Sequence, residues 1–576
     1  MPKIFYFSPL LYCLSLCAYA LDDVSLPERI RQEQRLKELG QHLQEQLPQL
    51  APQVVTSTAN LQQIIVVEQP CVQIDRIQLV ALDGQQAADL NQFQFILTAI
   101  KKHPQHIIGQ CMGSQSLHNL VNFAQNELIK AGFITSQVVV NPQDLNQGEL
   151  ALGIQIGRLH QIKVQGEQAS SWQIKTALPF RQGDIVNLKQ LDQGLENLKR
   201  VFTVDIQIVP ALEAEQELAG YSDLLIQLQP QQNVNFNLTV DNSGSDSTGK
   251  YIGSLGISFN DPLRLNDILS LNFSHSLDDL HQNRNKNLYV NYQIPFGYLD
   301  VAASFSQYRY DQSVLGYNGP ILYRGDSAQT QINLSRVISR SGEHKTSLYG
   351  KLYHKENKNF IDEIEVGVQR RQTSGWHVGL QHRHYLGAAV VDASLDYRHG
   401  TGAFNALLAP EEKIEDIYNN RLPAEGYSRA PIWQADLRLS LPFLLLDQAA
   451  QYRLNWHGQY APKLLVPNDR FYIGGRYSVR GFDGDLMLSG DHGHYLQQEI
   501  NLNSAWPNTQ FYLGIDQGWV NGNHSLPGQR YLMGSVLGLR SYQNSFYLDV
   551  FGGRGLIAPE SIKKDWMTGF SLNLSY

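Results

Sequence analysis

Two stretches of this 576-residue chain combine residue types suited to ionic chemistry. Residues 471–485 read FYIGGRYSVRGFDGD, which sets Arg480 among Val479, Gly481 and Phe482. Residues 510–520 read QFYLGIDQGWV, which sets Asp516 between Gly514 and Gly518. A guanidinium and a carboxylate form a charge-assisted contact with two donors on two acceptors. If residues 510–520 are a strand, both glycines share the aspartate's face and clear space beside it. Removing one partner of a well-buried pair typically costs about 3–5 kcal/mol, so such a contact matters most in a confined site. Glu499 and Asp549 compete for Arg480 on the same parity argument. The plain alternative is a solvated arginine at a loop tip, and the position of the loop decides between the two.

Other chemistries find little support. The pairs His382/His384 and His492/His494 have i,i+2 spacing but no further ligands to close a metal site, so none is expected. The chain has no G-x-x-x-x-G-K-[ST] phosphate loop. It also has no Ser/His/Asp set with readable spacing, so neither a cofactor nor an enzymatic reaction is expected. A formal net charge of −8 without a basic cluster argues against nucleic acid as a partner.

The start, MPKIFYFSPLLYCLSLCAYA, has one lysine, an apolar run and the small-residue ending Ala18-Tyr19-Ala20. It reads as a secretory signal peptide over 1–20, with Leu21 as the first mature residue. Cleavage leaves Cys71 and Cys111, and one disulfide between them is expected in an exported chain. Its loop of roughly 40 residues would contribute about 4 kcal/mol in the chain-entropy model. Past the signal no apolar run reaches the length of a spanning helix.

From Ser25 to Leu47 the spacing predicts a helix. Ser25 and Glu28 suit a capping box, Pro27 suits the first turn, and Leu36, Leu39, Leu43 and Leu47 recur on one face. Periodicity leaves open whether this polar helix lies in a polar cavity or docks on a surface. Residues 49–69 have linker composition. From 70 to 157 and again from 158 to 230, short strands alternate with helices in two α+β modules. Expected elements are Cys71–Leu82, Ser116–Ala131, Phe133–Asn141 and Glu149–Ile156, then Leu159–Gln165, Ser170–Leu178, Leu188–Arg200, Val204–Val209 and Asp223–Leu228.

From 231 to 576 the pattern has period two. Leu288, Val290, Tyr292 and Ile294 alternate with Asn287, Tyr289, Asn291 and Gln293, and the chain stops on such a run at Tyr576. Apolar residues on one face and Asn, Gln, Ser and Arg on the other are the signature of a transmembrane β-barrel. A sheet satisfies every backbone group in lipid only when it is closed. The length suggests about 16 antiparallel strands. Parity then turns Asp516, Glu499 and Asp549 toward the lumen, where Arg480 reaches them if its loop, 471–490, folds inward.

With IGGRYSVRGF (473–482), GIDQG (514–518), TVDNSGSDSTG (239–249), PCVQIDRIQL and AGFITSQV in the first module, and an aromatic C-terminus, the chain resembles the two-partner secretion outer-membrane transporters of the haemolysin and filamentous-haemagglutinin family. The resemblance implies a 16-stranded barrel, two periplasmic polypeptide-transport-associated (POTRA) domains and an N-terminal plug helix over 21–48. It implies an inward loop whose Arg480 pairs with Asp516. The implied partner is a large exported β-helical protein with an N-terminal secretion domain: a haemolysin, an adhesin or a contact-dependent-inhibition toxin. The implied location is the bacterial outer membrane. An outer-membrane barrel-assembly factor shares the loop motif and is the alternative.

Overall fold

The computed structural model describes residues 10–48, 63–82, 87–166, 169–213, 216–278, 284–316, 319–414, 420–522 and 528–576. Its first element is a helix, Leu10–Glu45, that carries Pro27 in its interior. In the full-length chain the helix thus extends upstream of the expected start at Ser25, into the segment read as a signal peptide. Residues 1–9 of that segment, and 49–62 of the expected linker, lie outside the described residues.

The end of the expected linker packs onto the first module. Ile64 is fully buried in its core with Phe93, Ile96, Leu120 and Leu152. Glu68 accepts hydrogen bonds from the backbone amides of Gly113, Gln115 and Ser116, at 3.0, 2.9 and 2.8 Å. These are orphan donors at the start of the helix Ser114–Ala131, which has no cap from its own N-cap residue. The helix ends at Gly132, whose φ of 98° suits a glycine closing a helix. The expected strand Cys71–Leu82 is broken at Asp75 into Val72–Ile74 and Arg76–Ala81. They serve two sheets, since Val72–Ile74 pairs with Gln110–Met112 and Arg76–Ala81 lies parallel to Glu149–Gln155. Cys71 and Cys111 are disulfide-bonded across a sequence separation of 40.

The second module has strands Arg158–Gly166, Phe202–Glu213 and Gln216–Pro230 with helices Ser171–Ala177 and Leu188–Leu198. Ser170 and Gln173 form a capping box, and Asn187 caps the second helix through the Lys189 amide. Both helices abut three consecutive turns at the near end of the barrel. Asn266 donates to the Gln173 carbonyl at 2.7 Å, and Asn197 donates to the Gly297 carbonyl at 2.8 Å. Glu196 receives Arg340 and Lys345 together, the latter at 2.8 Å.

Sixteen antiparallel strands close the barrel, and a two-residue strand, Ile364–Glu365, folds back on the seventh. The last strand, Trp566–Ser575, joins the first, Val234–Asp241. Alternation sets the faces: on Thr509–Asn521, Phe511, Leu513 and Ile515 are exposed outward, whereas Tyr512 and Asp516 are buried inward. The inner face is polar, as a lumen requires, and the outer face supplies the apolar belt.

Candidate functional site: an ionic network in the lumen

Loop 461–491 descends into the barrel between the strands Gln448–Tyr460 and His492–Asn503. Its short hairpin, Phe471–Ile473 with Leu488–Gly490, carries an apolar side. Ile473, Val479, Phe482 and Leu488 pack there against Val520 and Leu532 of the wall. Glycines of the wall make this approach possible. A Cβ on Gly534 would stand 2.0 Å from the Arg480 carbonyl oxygen, one on Gly518 2.8 Å from Val479, and one on Gly555 2.5 Å from Phe482. Gly481, with φ of 104°, lies over the Arg554 backbone, where a Cβ would be 2.6 Å from the carbonyl oxygen.

The loop delivers Arg480 to the wall. Its Nε donates to Asp516 Oδ2 at 2.7 Å and its Nη2 to Oδ1 at 3.0 Å, while its backbone amide donates to Oδ2 at 2.9 Å. Gly514 and Gly518 flank that carboxylate, and a Cβ on Gly514 would stand 2.8 Å from Arg480 Nη2. The remaining nitrogen, Nη1, donates to Glu499 Oε2 at 2.7 Å. Both competing acids are thus placed: Glu499 shares the arginine with Asp516, whereas Asp549 does not reach it. Asp549 instead accepts from Tyr512 Oη at 2.8 Å and from Arg540 Nε at 3.3 Å.

Arg540 completes the network, and sequence reasoning missed it. It grips Glu499 through both terminal nitrogens, donates to Asn501 at 3.0 Å, and stacks 3.9 Å over the Tyr512 ring. The available signal was register: Arg540 lies directly across from Asp549 in the sheet. Two arginines and three carboxylates therefore share one buried cluster, with Asp516 fully covered. Through these bonds the cluster joins the loop to the wall.

The helix occupies the rest of the passage and is held chiefly by polar contacts. Glu28 accepts from Arg31 at 2.6 Å, Ser245 at 3.0 Å and Tyr308 at 2.5 Å. Arg31 also donates to the Gly484 carbonyl at 3.0 Å, which ties helix to loop. Glu33 pairs with Lys355, Arg35 with Asp241 at 3.2 Å, Lys37 with Asp436 at 3.3 Å, and Glu45 with Arg438 at 2.5 Å. The strand partners come from the first, fifth, seventh and tenth strands of the barrel. His382 and His384 are on the outer face, and no three His, Cys, Asp or Glu side chains are placed to hold one metal ion among the described residues.

A model of haemolysin secretion/activation proteins, ShlB/FhaC/HecB, matches residues 220–541. Models of a ShlB-type POTRA domain and of a POTRA domain match 76–157 and 158–210. An outer membrane transporter, CdiB-2 of Burkholderia pseudomallei, is 29% identical over 537 residues, covering 89% of this chain and 88% of its own. The hemolysin transporter ShlB of Serratia marcescens is 25% identical and covers 78% of this chain and 77% of its own. The solved structure of CdiB from Acinetobacter baumannii is 60% identical, with a TM-score of 0.87 over 96% of this chain and 99% of that one.

Proposed function

We infer the function from one premise: the chain belongs to the haemolysin secretion/activation family of outer-membrane transporters. It is a two-partner secretion pore, set in the outer membrane with its POTRA domains in the periplasm. Its partner is a large exported protein bearing an N-terminal secretion domain, of the haemolysin, adhesin or contact-dependent-inhibition toxin kind. The observation that carries this reading is a closed barrel whose passage holds a polar helix, in a chain that also carries two POTRA domains.

The extended partner pairs with an open strand edge in the POTRA domains, by strand addition. It then displaces the helix, which leaves behind a passage lined with the residues that held it. Ion pairs suit such a stopper, because water and a polar polypeptide can replace them, whereas a dry apolar core would have no substitute. Arg480 and Asp516 latch the inward loop to the wall, so that the loop has a defined place while the helix leaves. Residues 1–20 are removed on export, and the Cys71–Cys111 disulfide forms in the oxidising periplasm. The cycle involves no nucleotide, no cofactor and no catalytic step, and folding of the partner outside sets its direction.

The test is secretion of the partner by cells carrying wild type, Arg480→Ala, Asp516→Ala and the double variant, with barrel folding followed by heat-modifiable gel mobility. Singles that fold but do not secrete, with a double no worse than either, are the expected result. Normal secretion by all three would remove the latch, and normal secretion through a transporter lacking 70–230 would remove the recognition step.

A further inference from the structure

The outer face of the barrel carries a basic patch at its periplasmic end that neither the passage nor the docked modules use. On Gly319–Arg340 the exposed side chains of Ile332, Leu334 and Ile338 mark the lipid-facing side. Arg336 shares that side, is exposed, and has no ion-pair partner among the described residues. On the next strands Leu348 and Leu352, then Val378 and Leu380, mark the same face, and His344, His382 and His384 fall on it. Their rings form a tier with centroids 5.8, 6.4 and 5.6 Å apart. Planes within 28° of parallel do not converge their lone pairs on one ion, which disfavours a metal.

The hydrogen bonds of the tier leave donors over. Both ring nitrogens of His344 meet serines, Ser341 at 2.8 Å and Ser339 at 2.9 Å, and His382 Nδ1 meets Thr346 at 2.8 Å. His382 Nε2 and both nitrogens of His384 have no hydrogen bond among the described residues. The acid beside the rings, Glu343, is exposed in the turn. His344 and His384 stand within three residues of the turns 341–343 and 387–388. At about 3.3 Å per residue that is roughly 10 Å or less from the ends of the strands, at headgroup depth. Arg336 lies higher, but an arginine stem lets its head reach down to the interface, where a cation is tolerated on the lipid face.

We propose that Arg336, His382 and His384 bind the phosphodiester of an anionic phospholipid in the periplasmic leaflet. The guanidinium supplies two donors in the geometry a phosphate accepts, and the imidazoles supply the rest. Charge complementarity selects the occupant, because the Arg336 guanidinium is cationic, outward-facing and without an ion-pair partner among the described residues. The site has a second consequence through the turn 341–343. Residues on either side of this turn face opposite ways, His344 toward lipid and Arg340 and Lys345 toward Glu196 of the second POTRA domain. A bound headgroup braces the turn on which that domain rests.

The test uses the full chain in nanodiscs of mixed phosphatidylglycerol and phosphatidylethanolamine, with native mass spectrometry counting lipids retained on release. Wild type is expected to retain phosphatidylglycerol selectively. Arg336→Gln should lower that retention roughly five-fold, the factor one surface cation contributes, and the triple variant with His382→Gln and His384→Gln should abolish the selectivity. Arg336→Lys should keep most of it, which separates charge from damage to the fold. Equal retention by wild type and the triple variant would overturn the proposal. So would displacement of the lipid by millimolar inorganic phosphate, which would assign the patch to a free anion.

Discussion

Arg540 and Arg480 divide Glu499 between them, so neither arginine acts alone. Arg540→Ala strands Glu499 on one partner and leaves Asp549 with Tyr512. Loss of a well-buried ionic partner typically costs about 3–5 kcal/mol. The variant should therefore lose its heat-resistant gel form at a lower temperature than wild type. The Arg480→Ala/Arg540→Ala double should lose less than the sum, since residues in one network do not add. A strictly additive double would mean that the two cations act independently. Glu68 makes the corresponding statement in the periplasm. The Ser116 hydroxyl, followed by the Ser116 and Gln115 amides, holds its carboxyl below the usual carboxylate range. A lowered folded-state pKa gives stability that is complete above the ordinary carboxylate value and fades as pH falls through the lowered one. At neutral pH Glu68→Gln should speed hydrogen exchange at the amides of 113, 115 and 116, and the two proteins should converge in acid. Persistent differences below that range would assign the cap to something other than its charge.

Among elements, the inward loop and the strand beneath it fit as shaped surfaces. Gly534→Ala inserts a methyl against the Arg480 carbonyl oxygen, and overpacking of this kind costs about 1–3 kcal/mol. Secretion should fall while the barrel still folds, whereas Gly552→Ala, with nothing within 4 Å of its Cβ, should secrete as wild type. Equal secretion by both would mean that the loop leaves the wall without cost. This level also shows what could be read from sequence. Period-two alternation is a local property, so lipid-facing Leu513 and lumen-facing Asp516 were legible from eleven residues. The glycines flanking Asp516 were legible as cleared space for the same reason. Gly534 and Gly555 were not, because their partners, Arg480 and Phe482, come from a loop more than 50 residues away. The capping box at Ser25 is a local signal, and it carries no information about the upstream segment, which is itself helical in the full-length chain. Arg540 was hidden for a different reason: it is one of several inward cations, and only register across four strands gives it its two acids.

On the scale of the whole molecule, the second POTRA domain is fixed to the barrel, and Glu196 is the centre of that attachment. Burial raises the pKa of its carboxyl, but Lys345 and then Arg340 outweigh burial and hold it below the ordinary range, so it is ionised at neutral pH. Glu196→Gln leaves two cations facing an amide. Spin labels on the domain and the barrel rim should then report a distance distribution clearly broader than in wild type. An unchanged distribution would assign the docking to backbone contacts such as that of Asn197 with Gly297. The lumen helix is attached differently at its two ends. Near the loop, the Arg31 and Glu28 side chains are only 9% and 5% exposed, whereas toward the periplasm those of Arg438 and Glu45 are 34% and 55% exposed. Dissolved ions shorten the reach of exposed charges from about 10 Å at 0.1 M to about 3 Å at 1 M and affect buried pairs far less. Because small ions cross the outer membrane freely, the saltiness of the surroundings acts directly on the stopper. In brine its grip slackens from the periplasmic end, the end at which an arriving partner meets it.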